Sequence, residues 1–160
     1  MPRVPLTDGP DDFYALLGRR PEIKEAWEGL DSAMMGPGST LTPSLKENVR
    51  RALSQGVGCS YCASFGEPSE QPRDRKESLA LGFVELVVQD HQAIDDSTFE
   101  VLREEFTDDQ ILELCAWISF KYGANMLGSL TKLEPARDDQ KATYEGWLEE
   151  REQEMADAVQ

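Results

Sequence analysis

The sequence predicts an all-α, single-domain helical bundle, and three observations carry that expectation. At 160 residues the chain has the length of one domain. A domain of that size buries roughly 70% of the surface its unfolded chain exposes, enough for a real core. Apolar residues recur at three- and four-residue spacing and nowhere alternate for long, which is the helical period. Proline, glycine, serine, threonine and aspartate fall where such helices would begin and end. With 39% hydrophobic and 29% charged residues, the composition is that of an ordinary folded protein.

The chain divides into N-terminal helices over residues 1–40, a core over residues 41–133 and a C-terminal acidic helix over residues 134–160. Asp11 to Leu17 forms a short first helix that Gly18 stops. Pro21 opens the second, where its missing N–H costs nothing. This helix runs to Met35 with Ile23, Trp27 and Leu30 on one stripe, and Gly36-Pro37-Gly38-Ser39 breaks it. Thr42 and Pro43 supply the N-cap and first residue of a helix to about Gln55, its inward face being Leu45, Val49, Ala52 and Leu53. Gly56 and Gly58 make a tight connection and leave room beside the sulfurs that follow. Cys59 opens a short helical piece to about Phe65, and a polar loop spans 66–73.

The next helix spans about Asp74–Gln89, with Leu79, Phe83, Leu86 and Val87 at helical spacing. Another covers Asp95–Phe106. Thr107 and Gln110 form a capping box that launches the most hydrophobic helix, Ile111 to about Leu130. Apolar residues cover nearly all sides of its first half, which predicts a central buried helix. Gly123, Ala124 and Gly128 would let a neighbouring backbone come close. Beyond Pro135 the chain is mostly charged, and Tyr144, Trp147 and Leu148 anchor a last helix, Asp138–Ala158.

A formal net charge of −15 and a pI of about 4.4 argue against nucleic acid and anionic lipid as partners. The first residues carry Asp8, Asp11 and Asp12 and no apolar leader, and no apolar run reaches the roughly 18 residues a membrane span needs. A cytoplasmic protein is expected. Three cysteines are too few for a secreted disulfide framework, and in a reducing compartment a close pair points to catalysis or metal.

That pair is Cys59-Ser60-Tyr61-Cys62. Two cysteines three apart on a helix-opening turn can form a disulfide, and the helix N-terminus favours a thiolate. Two other readings stand beside the redox one: ordinary buried thiols, or half of a zinc site completed by His91 and Cys115. The spacings from Cys62 to His91 and on to Cys115 match no zinc module, and Cys115 lies in the apolar helix, where a thiol behaves as a small hydrophobe. No metal and no cofactor are expected.

Glu47, separated from Cys59 by eleven residues, completes a pattern that resembles the alkylhydroperoxidase D / carboxymuconolactone decarboxylase superfamily. Its signature is Glu, eleven residues, CxxC, three residues and His. The likeness covers about Leu41 to Leu133. It implies an all-α fold that assembles into homo-oligomers, trimers or hexamers, with Cys62 as the peroxide-attacking thiol, Cys59 as its resolving partner and Glu47 as the start of a proton relay. The chain departs from the pattern twice. Gly66 stands at the position of the signature histidine, and Tyr61 stands between the cysteines where some members carry histidine. Tyr61, Glu67 and His91 are therefore the accessory candidates, His91 being the only histidine in the chain. On its own helix Glu47 lies about 200° from Leu45, at about 100° per residue, and local pattern alone assigns it to a solvated face.

The expected activity is a thiol-dependent peroxidase or disulfide oxidoreductase with a weakened relay. Its partners would be a peroxide or small disulfide and a dithiol or thiol-protein reductant. A redox-silent lyase like the superfamily's decarboxylases is the first alternative. It would gather basic residues near the pocket, for which Arg50 and Arg51 are the candidates, although adjacent helical arginines are usually solvated. A non-catalytic oligomeric protein is the second. Three tryptophans, Trp27, Trp117 and Trp147, look like a large load for one bundle and add a hint of oligomerisation.

Overall fold

The computed structural model describes residues 1–158. Among these residues there are eight α-helices, one 3-10 turn and no strand. They are α1 (Asp12–Leu17), α2 (Pro21–Met35), α3 (Pro43–Val57), α4 (Ser60–Ala63), α5 (Arg75–Asp90), the turn His91–Ala93, α6 (Asp96–Leu102), α7 (Asp108–Thr131) and α8 (Asp138–Ala158). Side-chain caps set the starts. Asp11 accepts from the Tyr14 N–H, Thr42 from Leu45 and Asp74 from Glu77. The Thr107–Gln110 capping box closes in both directions. Each such cap contributes about 0.5–2 kcal/mol.

α3 is the axis of the molecule. It packs on α5 and on α7, and α4 and α8 close over its remaining sides. Val49 and Leu53 of α3 meet Ala80, Phe83 and Val84 of α5 and Leu114, Trp117 and Ile118 of α7 in the main core. The Trp117 indole donates to the Lys46 carbonyl at 2.8 Å. Lys46 is fully buried, and its ammonium binds Glu113, the Met34 carbonyl and Ser39 Oγ. Burial pushes the Lys46 pKa down against the opposing pull of Glu113. Burial would raise Glu113, but Lys46, Ser39 and Thr40 hold its carboxyl at about 2. This clamp ties the loop after α2 to α3 and α7.

A second, smaller core joins α1 to the cysteines: Phe13, Leu16 and Leu17 pack with Cys59, Tyr61, Cys62, Ala124 and Leu133.

Several sequence expectations need correction. α2 lies at the edge of the bundle and packs chiefly on α1, so of its expected stripe Ile23 and Leu30 face outward and only Trp27 turns in, against Phe13 and Phe120. On α5 the buried face is Ala80, Leu81, Phe83 and Val84, while Leu86 is exposed. α6 ends at Leu102, four residues early, though Phe106 is still buried. α7 is central but bare on one side: Leu112 is 70% exposed, and Met126 and Leu130 share its outward face. The tryptophans are accommodated within one chain, Trp117 at the centre of the main core and Trp147 packed against it. Gly56 serves helix packing, since a Cβ there would collide with Val88 Cγ1.

Candidate functional site

The site begins at the end of α3. Gly58 takes the left-handed conformation, φ 80°, and turns the chain in one residue. Cys59 then caps α4, its Sγ accepting from the Cys62 N–H at 3.2 Å. Cys59 and Cys62 are joined as a disulfide with their Cα atoms 5.3 Å apart. α7 lies directly over the sulfurs. A Cβ at Gly128 would stand 2.6 Å from Cys59 Sγ and 3.5 Å from Cys62 Sγ, so glycine is what lets the helix approach. Gly123 has no such neighbour.

The two cysteines are both buried but differ in what they reach. Cys59 is 1% exposed and Cys62 8%. Cys62 lines a cavity of about 100 Å³ walled in large part by aromatic rings, among them Phe13, Trp27, Phe65 and Tyr144, and lined from α7 by Lys121, Ala124 and Asn125. Cys59 does not reach it. Phe65 bridges Tyr61 and Tyr144 edge-on, at 5.1 and 4.9 Å between ring centroids.

Behind this wall lies a buried ionic cluster. Glu47 is 5% exposed and accepts four hydrogen bonds. Arg50 donates twice, at 2.7 and 2.8 Å, Arg51 Nε at 2.8 Å and the Tyr144 hydroxyl at 2.8 Å. Burial alone would raise the Glu47 pKa, but the two arginines and Tyr144 outweigh it and hold the carboxyl below its ordinary value. Burial and the Glu47 charge together push the Tyr144 phenol well up. Arg50 is itself buried, and its Nη1 donates to the Cys62 carbonyl at 2.9 Å, linking the cluster to the cysteine turn. Its guanidinium also lies over the Phe65 and Tyr144 rings. The solvated-face assignments of Glu47 and Arg50 are thus overturned, because α8 and α4 cover the side of α3 that its own apolar stripe leaves polar. Arg51 is half-buried.

The accessory candidates scatter. Tyr61 is buried beside Cys62, but its hydroxyl donates to Asp11 at 2.6 Å. Burial and the Asp11 charge push its pKa upward. Glu67 lines an open groove of about 870 Å³ on the outer side of Glu47, together with Arg51 and α8. His91 is exposed on the turn after α5 and lines neither the groove nor the cavity. Gly66 has φ 117°, and a Cβ there would lie 3.4 Å from Arg51 Cζ, so a guanidinium flanks the position of the signature histidine. No group of three or more His, Cys, Asp or Glu side chains could hold a metal among the described residues. No helix among them is long and apolar enough to cross a membrane.

Tyr144 and Asn125 were not singled out from the sequence as site residues. Tyr144 lies 97 residues from Glu47 with no local signal. Asn125 did leave one, as an amide inside the most apolar helix.

No protein-family model and no curated protein matches the chain. Solved structures do. An uncharacterized peroxidase-related protein from Silicibacter superposes with a TM-score of 0.72 at 19% identity, over 81% of this chain and 78% of that one. An alkylhydroperoxidase AhpD core, an uncharacterized peroxidase-related protein from Ralstonia eutropha, superposes with a TM-score of 0.68 at 21% identity, over 80% and 78%. At these identities the likeness defines the fold, which is all-helical and alkylhydroperoxidase D-like.

Proposed function

We propose that this chain, built on the alkylhydroperoxidase D-like fold, is a thiol oxidoreductase that reduces a peroxide or small disulfide through Cys62 and Cys59. The observation that carries the reading is the unequal placement of the two cysteines: Cys62 lines an aromatic-walled cavity, while Cys59 does not reach it and lies closer beneath Gly128. Cys62 attacks and Cys59 resolves. With a hydroperoxide, the Cys62 thiolate forms an S–O bond as the O–O bond breaks. The alcohol leaves with the proton the thiol gave up. The Cys59 thiol then displaces water from the Cys62 sulfenic acid and closes the disulfide. A dithiol or a thiol protein returns two electrons and two protons by attack at Cys62.

Two guanidinium groups surround one carboxylate in the Glu47 cluster, so its net charge is positive and favours a thiolate at Cys62. Four donors make Glu47 a weak base, so we assign it to hold Arg50 and Tyr144 in place. The lyase alternative finds less support, because Arg50 is engaged by Glu47 and the Cys62 carbonyl, and Lys121 by Asp31. The exposed stripe of Leu112, Met126 and Leu130 on α7 supports a homo-oligomer.

The test is a stoichiometric peroxide titration of the reduced protein, with free thiols alkylated and the cross-link mapped by mass. Rapid Cys59–Cys62 disulfide formation, reversed by a dithiol, is the expected result. Both thiols remaining free, or oxidising no faster than Cys115, would overturn the proposal.

A further inference from the structure

We infer that Asn125 seats the ligand in the Cys62 cavity, its Oδ1 accepting a hydrogen bond from a short, neutral O–H donor. Asn125 is 1% exposed. Its Nδ2 donates to the Lys121 carbonyl one turn back at 2.8 Å, which fixes the orientation of the amide. Its Oδ1 has no partner among the described residues. A buried amide oxygen left unpaired costs about 1–3 kcal/mol, and an apolar side chain of the same shape would avoid that cost. Its neighbours from Gly123 to Gly128 are apolar or small, so the amide stands out against them.

Its place suits a ligand anchor. Asn125 lines the same small cavity as Cys62. It lies one turn before Gly128, the residue against which both sulfurs rest. The charged groups around the cavity already have hydrogen-bonding partners. Lys121 pairs with Asp31 at 2.5 Å, Arg50 with Glu47 at 2.7 Å, and Asp11 takes the Tyr61 hydroxyl at 2.6 Å. The hydrogen-bonding group left unpaired among the lining residues is therefore an acceptor, and much of the remaining wall is aromatic. That combination fits an uncharged molecule with one donor and an apolar flank, of the size of tert-butyl hydroperoxide or its alcohol. The reacting species rests on the oxidoreductase reading; the binding does not. For a hydroperoxide, the terminal O–H donates to Asn125 Oδ1 and presents its oxygen to Cys62. The S–O bond forms, the O–O bond breaks, and the alcohol departs with the thiol proton.

The probe is tert-butyl alcohol, which cannot react, titrated into the oxidised full-length protein and followed by the NMR shifts of the Asn125 side-chain amide. A saturable shift of that amide is expected in the wild type. Asn125→Leu, close to isosteric, should weaken alcohol binding at least tenfold and slow oxidation of the reduced protein by tert-butyl hydroperoxide at least tenfold. Two results overturn the inference. One is a wild-type titration that leaves the Asn125 amide unmoved. The other is an Asn125→Leu protein that melts higher while its alcohol affinity and its oxidation rate are unchanged, which would make the unpaired oxygen a packing fault. If the alcohol binds through Asn125 yet peroxide leaves Cys62 reduced, the inference stands and the oxidoreductase reading falls.

Discussion

Glu47→Gln is the substitution that bears hardest on the buried cluster. It keeps the shape of the side chain, removes the charge and sets an NH₂ group against two donors that a carboxylate oxygen accepts from in the wild type. Two of the four hydrogen bonds to Glu47 are lost at once, and the Arg50 guanidinium is left in the interior without its carboxylate. Removing one partner of a buried pair costs about 3–5 kcal/mol. At about 2–4 °C per kcal/mol for a domain of this size, the melting temperature should fall by about 6–20 °C. Thermal unfolding followed by circular dichroism, with both proteins in the disulfide form at pH 7, measures it. The loss should also depend on pH. The folded-state pKa of Glu47 is depressed. Its stabilisation is therefore complete above the unfolded carboxylate value of about 4.3 and is lost as the pH falls through the lower folded value. Wild type and variant should converge below that point. A penalty under about 1 kcal/mol, the level of an exposed ion pair, would refute the reasoning.

Four further outcomes follow from the same geometry. Tyr144→Phe removes one hydrogen bond to a carboxylate and should cost about 1.5–3 kcal/mol in urea unfolding, with an unchanged m value. Gly128→Ala drives a methyl group against Cys59 Sγ and should destabilise the oxidised protein by about 1–3 kcal/mol, read from the same melts. Glu113 has a folded pKa of about 2, so the wild type should lose stability as pH falls from about 4.3 toward that value, and Glu113→Gln should flatten this part of the curve. Burial raises the Cys115 thiol pKa, and Cys115 packs against the main core away from the disulfide, so Cys115→Ala should leave the rate of Cys59–Cys62 cycling unchanged in the peroxide titration.

Much of the fold was legible because local signals and tertiary packing agree here. The Thr107–Gln110 box, Thr42-Pro43 and Asp74 mark helix starts in sequence and cap them in space. Which face of a helix is buried proved harder to read. Ile23 and Leu30 of α2 keep perfect helical spacing yet face water, because burial depends on a neighbour that spacing does not specify. The site divided in the same way. The cysteines and Glu47 could be found from spacing, since they sit on consecutive elements. The burial of Glu47 could not, because what covers it is Tyr144 from α8 and the turn that carries Cys62. Arg50 left a partial clue, three residues from Glu47 on the same helix, which fits an ion pair as well inside as outside.

The dependence of Glu47 on Tyr144 also has a consequence for the order of events in synthesis. The two residues are 97 positions apart, with both cysteines between them. At about 5–20 residues per second the ribosome needs about 5–20 s to make the stretch from one to the other. For most of that interval, from Cys62 onward, the nascent chain carries its cysteine turn and both arginines without the phenol that completes their cluster. The side of the cysteine turn that the last helix covers stays open until then, and the cluster can close only after that helix has emerged.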